Sequence, residues 1–314
     1  MPSPVLLLGL LVLLACARLY LRQGSLIFRP GPAVSGSPAD LGLRFEDLGL
    51  RCADGVMIQG WWVPGRMESK SVVFFHGSDG NITHELATLR FLHGLGPNVL
   101  MVDYPGYGRS DARTSERGCY QAAEAAWSFV TESRGFHGED VIVFGQSLGS
   151  AVATYLATTR TCGGLVFQSG FSSVPDMAAA IYWYLPVRFF VHTRMDSLRR
   201  IAGCHCPVLV LHSEDDEHIP VAQAFRVYAQ APGPKKFVRL GGPHSSTQWR
   251  RDPDVRAAWT ELLAGRTEQW PGALPHRDGG PPPAAGRLPG DAQEGTGALA
   301  RGGAGRQGPH APDS

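Results

Sequence analysis

Three side chains of this sequence could together carry out nucleophilic catalysis. Ser147 is the central residue of a Gly-Gln-Ser-Leu-Gly segment, an acidic loop follows near residue 216, and His244 lies in a Pro-His-Ser-Ser segment. A serine hydroxyl is a weak nucleophile until a base removes its proton, and a histidine oriented by a carboxylate is an effective base. Because the chain has 39 glycines, the G-x-S-x-G pattern alone would arise by chance about 0.3 times. The surrounding elements must therefore decide what Ser147 does.

The residues around Ser147 predict a strand, a sharp turn and a helix. The apolar run DVIVFG occupies 140–145, and LGSAVATYLAT, from residue 148, has the small and apolar residues of a buried helix. A serine at such a turn is held in a strained conformation with its hydroxyl exposed at the sheet edge, while Gly145 and Gly149 let strand and helix approach closely. A helix N-terminus also favours negative charge nearby. This context predicts that Ser147 is the nucleophile.

Where a catalytic serine lies at a turn between a parallel strand and a helix, the acid and then the base follow it in the chain. After the apolar run PVLVLHS comes the acidic loop EDDEHIP, and of its carboxylates Asp216 is the predicted acid, with Asp215 as the alternative. After the next run, KKFVRLGG, His244 is the predicted base. His212, at the end of the predicted strand, and His218, in the acidic loop, are weaker candidates, because each is expected to be a packing or surface histidine. Acid and base would then lie at the same edge of the sheet, at the carboxyl ends of strands, where such sheets assemble their sites.

Two backbone N–H groups are predicted to bind the oxyanion that forms when the serine attacks a carbonyl. One belongs to Leu148, which follows the nucleophile. The other is assigned to Ser78, in the glycine-rich loop HGSDGN that follows the apolar run SVVFF. His76, in the same loop, is expected to have a structural role.

Strand and helix patterns alternate through the middle of the chain. This alternation predicts an α/β fold with a mostly parallel central sheet flanked by helices, opened by an antiparallel pair from residues 43–50 and 56–65. Runs typical of buried strands are at 71–77, 98–104, 140–145, 164–170, 207–213 and 235–242. Helical patterns are at 83–93, 120–133, 148–158, 221–230 and 253–263.

The two ends of the chain differ from this middle part. Residues 5–21 are nearly all apolar, so 1–23 is predicted to be a membrane anchor or an uncleaved signal, with a lipoprotein site at Cys16 as a further alternative. Arg18, Arg22 and Arg29 slightly favour a cytoplasmic position for the main domain, predicted at 24–266. Residues 267–314 are rich in Gly, Pro and Ala and are predicted to form a disordered tail.

Composition argues against several other classes. The net charge is +1, and basic residues do not interleave with aromatic ones, so a nucleic-acid partner is not expected. The six cysteines are scattered, and Cys204-His205-Cys206 lacks a second ligand pair at zinc spacing, so these cysteines are interpreted as buried or loop residues. We expect neither a metal ion nor a cofactor, and the oligomeric state is left open.

With these residues in place, the sequence resembles the α/β-hydrolases, and within them the BEM46-like, membrane-anchored subfamily that includes the ABHD13-like serine hydrolases. The resemblance implies Ser147 as nucleophile, His244 as base, Asp216 as acid in an H-x-x-x-D-x-x-I-P pattern, and an N-terminal anchor. Ser213 stands where glycine is usual, and Pro243 precedes His244 where a more flexible residue is common. The matching segments are LIFRPGP, FFHGSDGNITHEL, VDYPGYGRSD, FGQSLGSAVA, QSGFSSVPDMA, DSLRRI, CPVLVLHSEDDEHIP and GGPHSS.

A short cap is predicted at about 171–201, where the sequence is rich in Tyr, Trp and Phe. Aromatic walls suit an acyl chain or another hydrophobic ester group. The predicted activity is hydrolysis of an ester or thioester of a small molecule or lipid through an acyl-enzyme. An acyltransferase with the same residues, or a ligand-binding protein without activity, are the alternatives.

Overall fold

The computed structural model describes residues 3–31 and 36–272, and these alternate between strands and helices. The strands are β1 (Arg29–Pro30), β2 (Glu46–Arg51), β3 (Met57–Val63), β4 (Met67–Phe75), β5 (Asp79–Gly80), β6 (Pro97–Val102), β7 (Val141–Gln146), β8 (Gly164–Gln168), β9 (Val208–Ser213) and β10 (Lys235–Leu240). The helices are α1 (Pro4–Ile27), α2 (Leu86–Leu95), α3 (Glu116–Ser128), α4 (Leu148–Thr159), α5 (Val174–Ile181), α6 (Ser197–Ile201), α7 (Val221–Gln230) and α8 (Pro253–Leu263).

Eight strands form one sheet in the order β10-β9-β8-β7-β4-β6-β3-β2. The strands from β10 to β6 along this order pair in parallel, whereas β3 pairs antiparallel with β6 and with β2. Both the mostly parallel sheet and the antiparallel pair that opens it are therefore confirmed. The central strands are buried on both faces, and their alternate side chains enter two separate apolar clusters, as Val73 and Phe75 do on one face and Val72 and Phe74 on the other.

The parallel order brings four loops to the same edge of the sheet. The loops after β4, β7, β9 and β10 contain residues 76–78, 147, 214–217 and 241–244 respectively. Because the carboxyl ends of parallel strands lie at one edge, these segments become neighbours although they are far apart in the sequence. The sheet therefore brings the loops of all the predicted site residues together.

Several boundaries differ from the sequence prediction for local reasons. Helix α3 begins at Glu116 rather than at residue 120, because Ser115 caps it by accepting a hydrogen bond from Gly118 N–H at 3.0 Å. The cap contains two helices, α5 and α6, that the sequence did not predict. The pair β1 and β5 was not predicted either, since two-residue strands have no period to detect.

Helix α1 is long and apolar enough to cross a membrane, with a mean hydropathy of 2.3 in its most apolar window. A signal sequence near the N-terminus meets the same criterion. The first half of α1 exposes leucines, whereas Cys16 and Gln23 in its second half are buried against the rest of the protein. At the other end, Thr267 and Trp270 are buried within the segment predicted as tail, and Trp270 Nε1 donates to Glu261 Oε2 at 2.7 Å. Residues 273–314 lie outside the described part.

Three cysteines meet at the opposite edge of the sheet. Cys162 precedes β8 and Cys206 precedes β9, and their Sγ atoms are 3.2 Å apart. Cys204 Sγ lies 3.4 Å from Cys206 Sγ, and all three are free and buried. Cys204 and Cys206 are thus buried residues just before a strand, as interpreted from the sequence. In the described segments no group of three or more His, Cys, Asp or Glu residues is suited to holding a metal ion.

Candidate active site

Ser147 occupies a strained turn between β7 and α4. Its backbone has φ 53° and ψ −117°, a region that non-glycine residues rarely adopt, and its N–H donates to Gln168 O at 2.9 Å. A Cβ on Gly149 would overlap the carbonyl oxygen of Phe75, and one on Gly145 would overlap that of Gly149. Only glycine fits at both positions, which is the close approach of strand and helix that the sequence predicted.

The structure brings Ser147, His244 and Asp216 into one hydrogen-bonded chain. His244 Nε2 is 3.2 Å from Ser147 Oγ, and His244 Nδ1 is 2.7 Å from Asp216 Oδ2. With its proton on Nδ1, the imidazole donates to the carboxylate and leaves Nε2 free to accept the serine proton. The Asp216 carboxylate is fully buried, whereas His244 keeps some exposure toward the cavity described below.

The carboxylate of Asp216 is kept ionised by its donors. Burial by itself raises its pKa, but hydrogen bonds from the His244 side chain and the Ile219 N–H outweigh burial, and the net pKa is lowered. Asp216 Oδ1 accepts from His218 N–H at 3.0 Å and from Ile219 N–H at 2.7 Å. Two backbone groups of the loop after β9, together with His244, thus provide three donors for one side chain, and this fixes the carboxylate toward His244.

The other acids of this loop point elsewhere. Asp215 Oδ2 accepts from Gly242 N–H at 3.1 Å, and Glu214 pairs with Arg239 of β10. His244 Nδ1 lies against Asp216 instead. The geometry therefore separates Asp216 from Asp215, which the sequence had left as the alternative.

The weaker histidine candidates also differ from His244 in position. His212 is completely buried, its Nε2 lies 2.8 Å from Ile219 O, and burial lowers its pKa. His218 is exposed, and its ring centroid lies 5.2 Å from that of His244. Of His212, His218 and His244, only His244 has a ring nitrogen within hydrogen-bonding distance of Ser147 Oγ.

Two residues that the sequence analysis did not assign hold the His244 loop in place. Glu217 Oε2 accepts from the His244 N–H at 2.8 Å, and that hydrogen bond lowers the pKa of the exposed Glu217 carboxyl. Ser213 Oγ donates to Gly242 O and accepts from Asp215 N–H. Ser213, a departure from the usual glycine, therefore links the acid loop to the histidine loop. The only sequence signal for Glu217 was its place in the acidic loop.

The predicted oxyanion donors lie on either side of Ser147. Leu148 is the first residue of α4, and a first-turn N–H has no partner within its own helix. Ser78 lies in the loop after β4, where a Cβ on Gly77 would come within 3.4 Å of Ser147 Cβ. The Ser78 carbonyl accepts from Arg29 N–H at 3.0 Å and from Tyr107 Oη–H at 2.8 Å. The strand pair β1 and β5 thus ties the segment after α1 to this loop.

His76 is buried under the same loop and does not line the cavity described below. Its Nδ1 lies 2.8 Å from Gly77 O, and its Nε2 lies 3.2 Å from Asp103 Oδ1. Its ring packs against Tyr104 and Tyr107. These contacts fit the structural role that the sequence analysis expected.

A cavity of about 490 Å³ opens from Ser147 and His244. One end is formed by the site residues together with Ser78 and Leu148. Its other walls are mostly apolar and come from α1 and from the cap, including Phe171, Met177 and Tyr182. The volume and the apolar lining are typical of a small-molecule site with few polar groups at one end.

Comparison with known proteins gives the same fold. A family model described as alpha/beta hydrolase fold matches residues 70–200. The Arabidopsis thaliana alpha/beta hydrolase domain-containing protein WAV2 is 30% identical over 246 residues, covering 71% of this chain and 80% of that protein. Protein bem46 of Schizosaccharomyces pombe is 28% identical over 241 residues with the same coverage. An esterase of Pyrococcus furiosus, Pf2001, superposes with a TM-score of 0.62 at 20% identity, covering 77% of this chain and 98% of that one.

These similarities agree with the strand order, with Gly145 and Gly149 at the turn of Ser147, and with the position of the site at the carboxyl edge of the sheet. The likeness to the esterase concerns the fold, because the identity is low. The match to WAV2 extends over four fifths of that protein. The chain therefore belongs to the α/β-hydrolases and is a relative of bem46, as its motifs predicted.

Proposed function

We propose that the protein is a serine hydrolase that cleaves carboxylic ester or thioester bonds through an acyl-enzyme. The observation that carries this proposal is the hydrogen-bonded chain from Ser147 Oγ through His244 to Asp216, with separations of 3.2 and 2.7 Å, at one end of an apolar cavity. A nucleophile, a base and a group that orients the base are a set that serine acyl transfer uses.

The acylation step uses each of these groups once. His244 Nε2 takes the proton of Ser147 Oγ as the oxygen attacks the substrate carbonyl carbon. The ionised Asp216 carboxylate stabilises the imidazolium that forms, and the backbone N–H groups of Leu148 and Ser78 donate to the tetrahedral oxyanion. His244 then gives its proton to the departing alcohol or thiol, and the acyl group remains on Ser147.

Deacylation repeats the same proton transfers with water. His244 removes a proton from a water molecule as that water attacks the acyl carbon, and Ser147 recovers its proton when the carboxylic acid leaves. If an alcohol replaces water in this step, the enzyme is an acyltransferase. Product analysis with and without added alcohols distinguishes hydrolysis from transfer.

The substrate class follows from the cavity. Its cap and α1 walls are mostly apolar, so an acyl chain gains free energy by leaving water, at about 0.8 kcal/mol per methylene. The acidic lining residues Asp79 and Glu217 lie in the loops that carry Ser78 and Asp216, where the ester would react. This distribution supports an acyl or lipid-like ester as substrate.

Helix α1 supports attachment to a membrane. Its length and composition suit a membrane segment, but residues 16–27 line the cavity, so residues 4–15, about 18 Å long, are the part free to enter a bilayer. Cleavage as a signal sequence is the alternative, and the mass of the mature protein distinguishes the two. An intact N-terminus in the membrane fraction supports the anchor.

A fluorophosphonate probe tests the proposed activity directly, because it reacts with activated serines. The folded protein should label, and Ser147→Ala should abolish labelling. Ser245→Ala is the matched control, since Ser245 is an exposed serine beside His244 and should leave labelling unchanged. Folded protein that does not label would leave a ligand-binding role, and labelling that survives Ser147→Ala would place the nucleophile elsewhere.

A further inference from the structure

Helix α1 forms a wall of the cavity. Six of its residues line the space that also contains Ser147 and His244, and their spacing of three or four places them on one helix face. From the first to the last of them the helix rises by about 16 Å. The cavity-lining residues of α1 are Cys16, Leu19, Tyr20, Gln23, Leu26 and Ile27.

Gln23 fixes α1 against the cap. Its Oε1 accepts from His192 N–H at 3.0 Å and from Thr193 N–H at 3.3 Å, and its Nε2 reaches Phe190 O at 3.5 Å. Tyr20 adds an edge-on contact with the His192 ring, at 5.3 Å between centroids. A buried amide is costly without partners, so these hydrogen bonds define how the helix lies beside the cap.

The apolar surface of the described residues is concentrated in two places. All of their exposed large hydrophobic side chains lie in α1 or in residues 181–190, here called the cap tip. The exposed cap-tip residues, at 38–87% of their full accessibility, are Ile181, Trp183, Tyr184, Phe189 and Phe190. A concentration of this kind marks a surface that water does not normally cover.

The cap tip and α1 form one continuous surface. Contacts of Gln23 with Phe190, and of Tyr20 with His192, place the cap tip beside the part of α1 that follows its most apolar residues. Exposed Arg18 and Arg22 lie on α1 at this level. Exposed Tyr20 lies between these two arginines, directly after an apolar span, and the cap tip adds exposed Trp183 and Tyr184. Aromatic and basic side chains of this kind are found where a protein meets lipid headgroups. The continuity with α1 therefore favours a lipid bilayer as the occupant of this surface.

We propose that the cap tip lies in the bilayer interface and that the acyl chain of the substrate enters the cavity sideways from the lipid, between α1 and the cap. Ile181, Phe190 and Tyr20 line the cavity and are also partly exposed, so the cavity reaches the surface between these two elements. This inference rests on the proposed function, and it identifies the substrate as an ester held in a membrane. The chain would leave the bilayer along α1, with its carbonyl toward Ser147.

Trp183 provides a direct test of the cap-tip position. It is 73% exposed, whereas the other six tryptophans are buried. Full-length protein is placed in phosphatidylcholine vesicles, with and without bromine on the acyl chains. Brominated lipid should quench the emission that distinguishes the wild type from Trp183→Phe, and aqueous iodide should not. Quenching of Trp183 by iodide alone, or by neither reagent because a protein partner or second copy covers it, overturns the proposal.

The path along α1 is tested by chain length. Each methylene that enters the cavity should raise kcat/KM by up to about 4-fold, so a p-nitrophenyl octanoate should exceed the acetate by at least about 100-fold. Leu19→Trp fills the α1 wall and should lower this ratio at least 10-fold. Leu21→Trp is the matched control, because Leu21 is 80% exposed and does not line the cavity. An unchanged ratio in Leu19→Trp overturns the path.

Failure of this inference differs from failure of the proposed function. Hydrolysis of the acetate ester and fluorophosphonate labelling report on Ser147, whereas quenching of Trp183 does not depend on activity. If thermal unfolding shows that Leu19→Trp is not folded, Ala178→Phe on the cap wall takes its place. If the protein labels normally but iodide quenches Trp183, only the membrane route is contradicted. If brominated lipid quenches Trp183 but the protein does not label, only the hydrolase activity is contradicted.

Discussion

Replacement of Asp216 by Asn should reduce turnover while keeping the shape of the site. The introduced amide can still accept the two backbone N–H groups at its oxygen, but its N–H₂ group would face His244 Nδ1. The imidazole must then place its proton on Nε2, which faces Ser147 Oγ. A protonated Nε2 cannot accept the serine proton, so kcat should fall by about 10⁴-fold, or about 5.4 kcal/mol in activation free energy.

Asp215→Asn is the matched control, because its carboxylate accepts a single backbone N–H from Gly242. We expect its kcat for a short-chain p-nitrophenyl ester to stay within about 3-fold of the wild type. Thermal unfolding should show that Asp216→Asn is folded, with a loss of about 1–3 kcal/mol for one charge-assisted hydrogen bond. The reasoning fails if Asp216→Asn keeps more than a tenth of the activity, or if Asp215→Asn loses as much.

The same variant should also show a pH dependence of stability. The folded pKa of Asp216 lies below its ordinary value of 3.8, so between the two values the unfolded chain binds more protons than the folded one. The stabilisation is therefore complete above about pH 3.8 and is lost as the pH falls through the folded pKa. Urea unfolding at pH 7 and near pH 3 should show wild type and Asp216→Asn converging in acid. An equal difference at both pH values would contradict this assignment.

Further substitutions test the supports of the site. Gly149→Ala places a methyl group on a carbonyl oxygen at the end of β4 and should cost about 1–3 kcal/mol of unfolding free energy, whereas Gly94→Ala has open space and should add about 0.4–1 kcal/mol; equal shifts in Tm would contradict the overlap. Glu217→Ala removes the acceptor of the His244 N–H and should lower kcat several-fold, with Glu217→Gln restoring most of it; identical pH–rate profiles and rates for both variants would refute a positioning role. Ser213→Gly removes the link between the two loops and should cost about 1 kcal/mol in urea unfolding, and an unchanged midpoint would show that the link contributes nothing.

The sequence predicted the fold well because its signals are local. A buried parallel strand is a continuous apolar run in the sequence, and each intervening helix repeats its apolar residues every three or four positions. The order of elements therefore follows from neighbouring residues. The turn at Ser147 was also readable, since glycines 145 and 149 are needed by any close strand–helix approach. Boundaries were less accurate where a cap decided them, as Ser115 does for α3. The pair β1 and β5 could not be predicted, because a strand of two residues has no period to detect.

The candidate site shows the same division between local and distant information. Ser147 and His244 could be assigned from the sequence because each stands alone in a loop after a predicted strand. Asp216 and Asp215 are adjacent, so composition could not separate them with certainty. Their separation depends on which carboxylate receives the N–H groups of residues 218 and 219, and this is set by the path of the loop. The role of Glu217 toward His244 joins loops 27 residues apart.

By itself, the sequence determined the α/β class and predicted the strained turn at Ser147 and the order of a candidate nucleophile, acid and base. It also marked α1 as an apolar helix and 171–201 as an aromatic segment, but gave no sign that the two meet. The tertiary structure decided that α1 is a wall of the cavity and that Gln23 joins it to the cap. Local propensity and periodicity act over a few residues, whereas a cavity wall is fixed by contacts between segments about 170 residues apart.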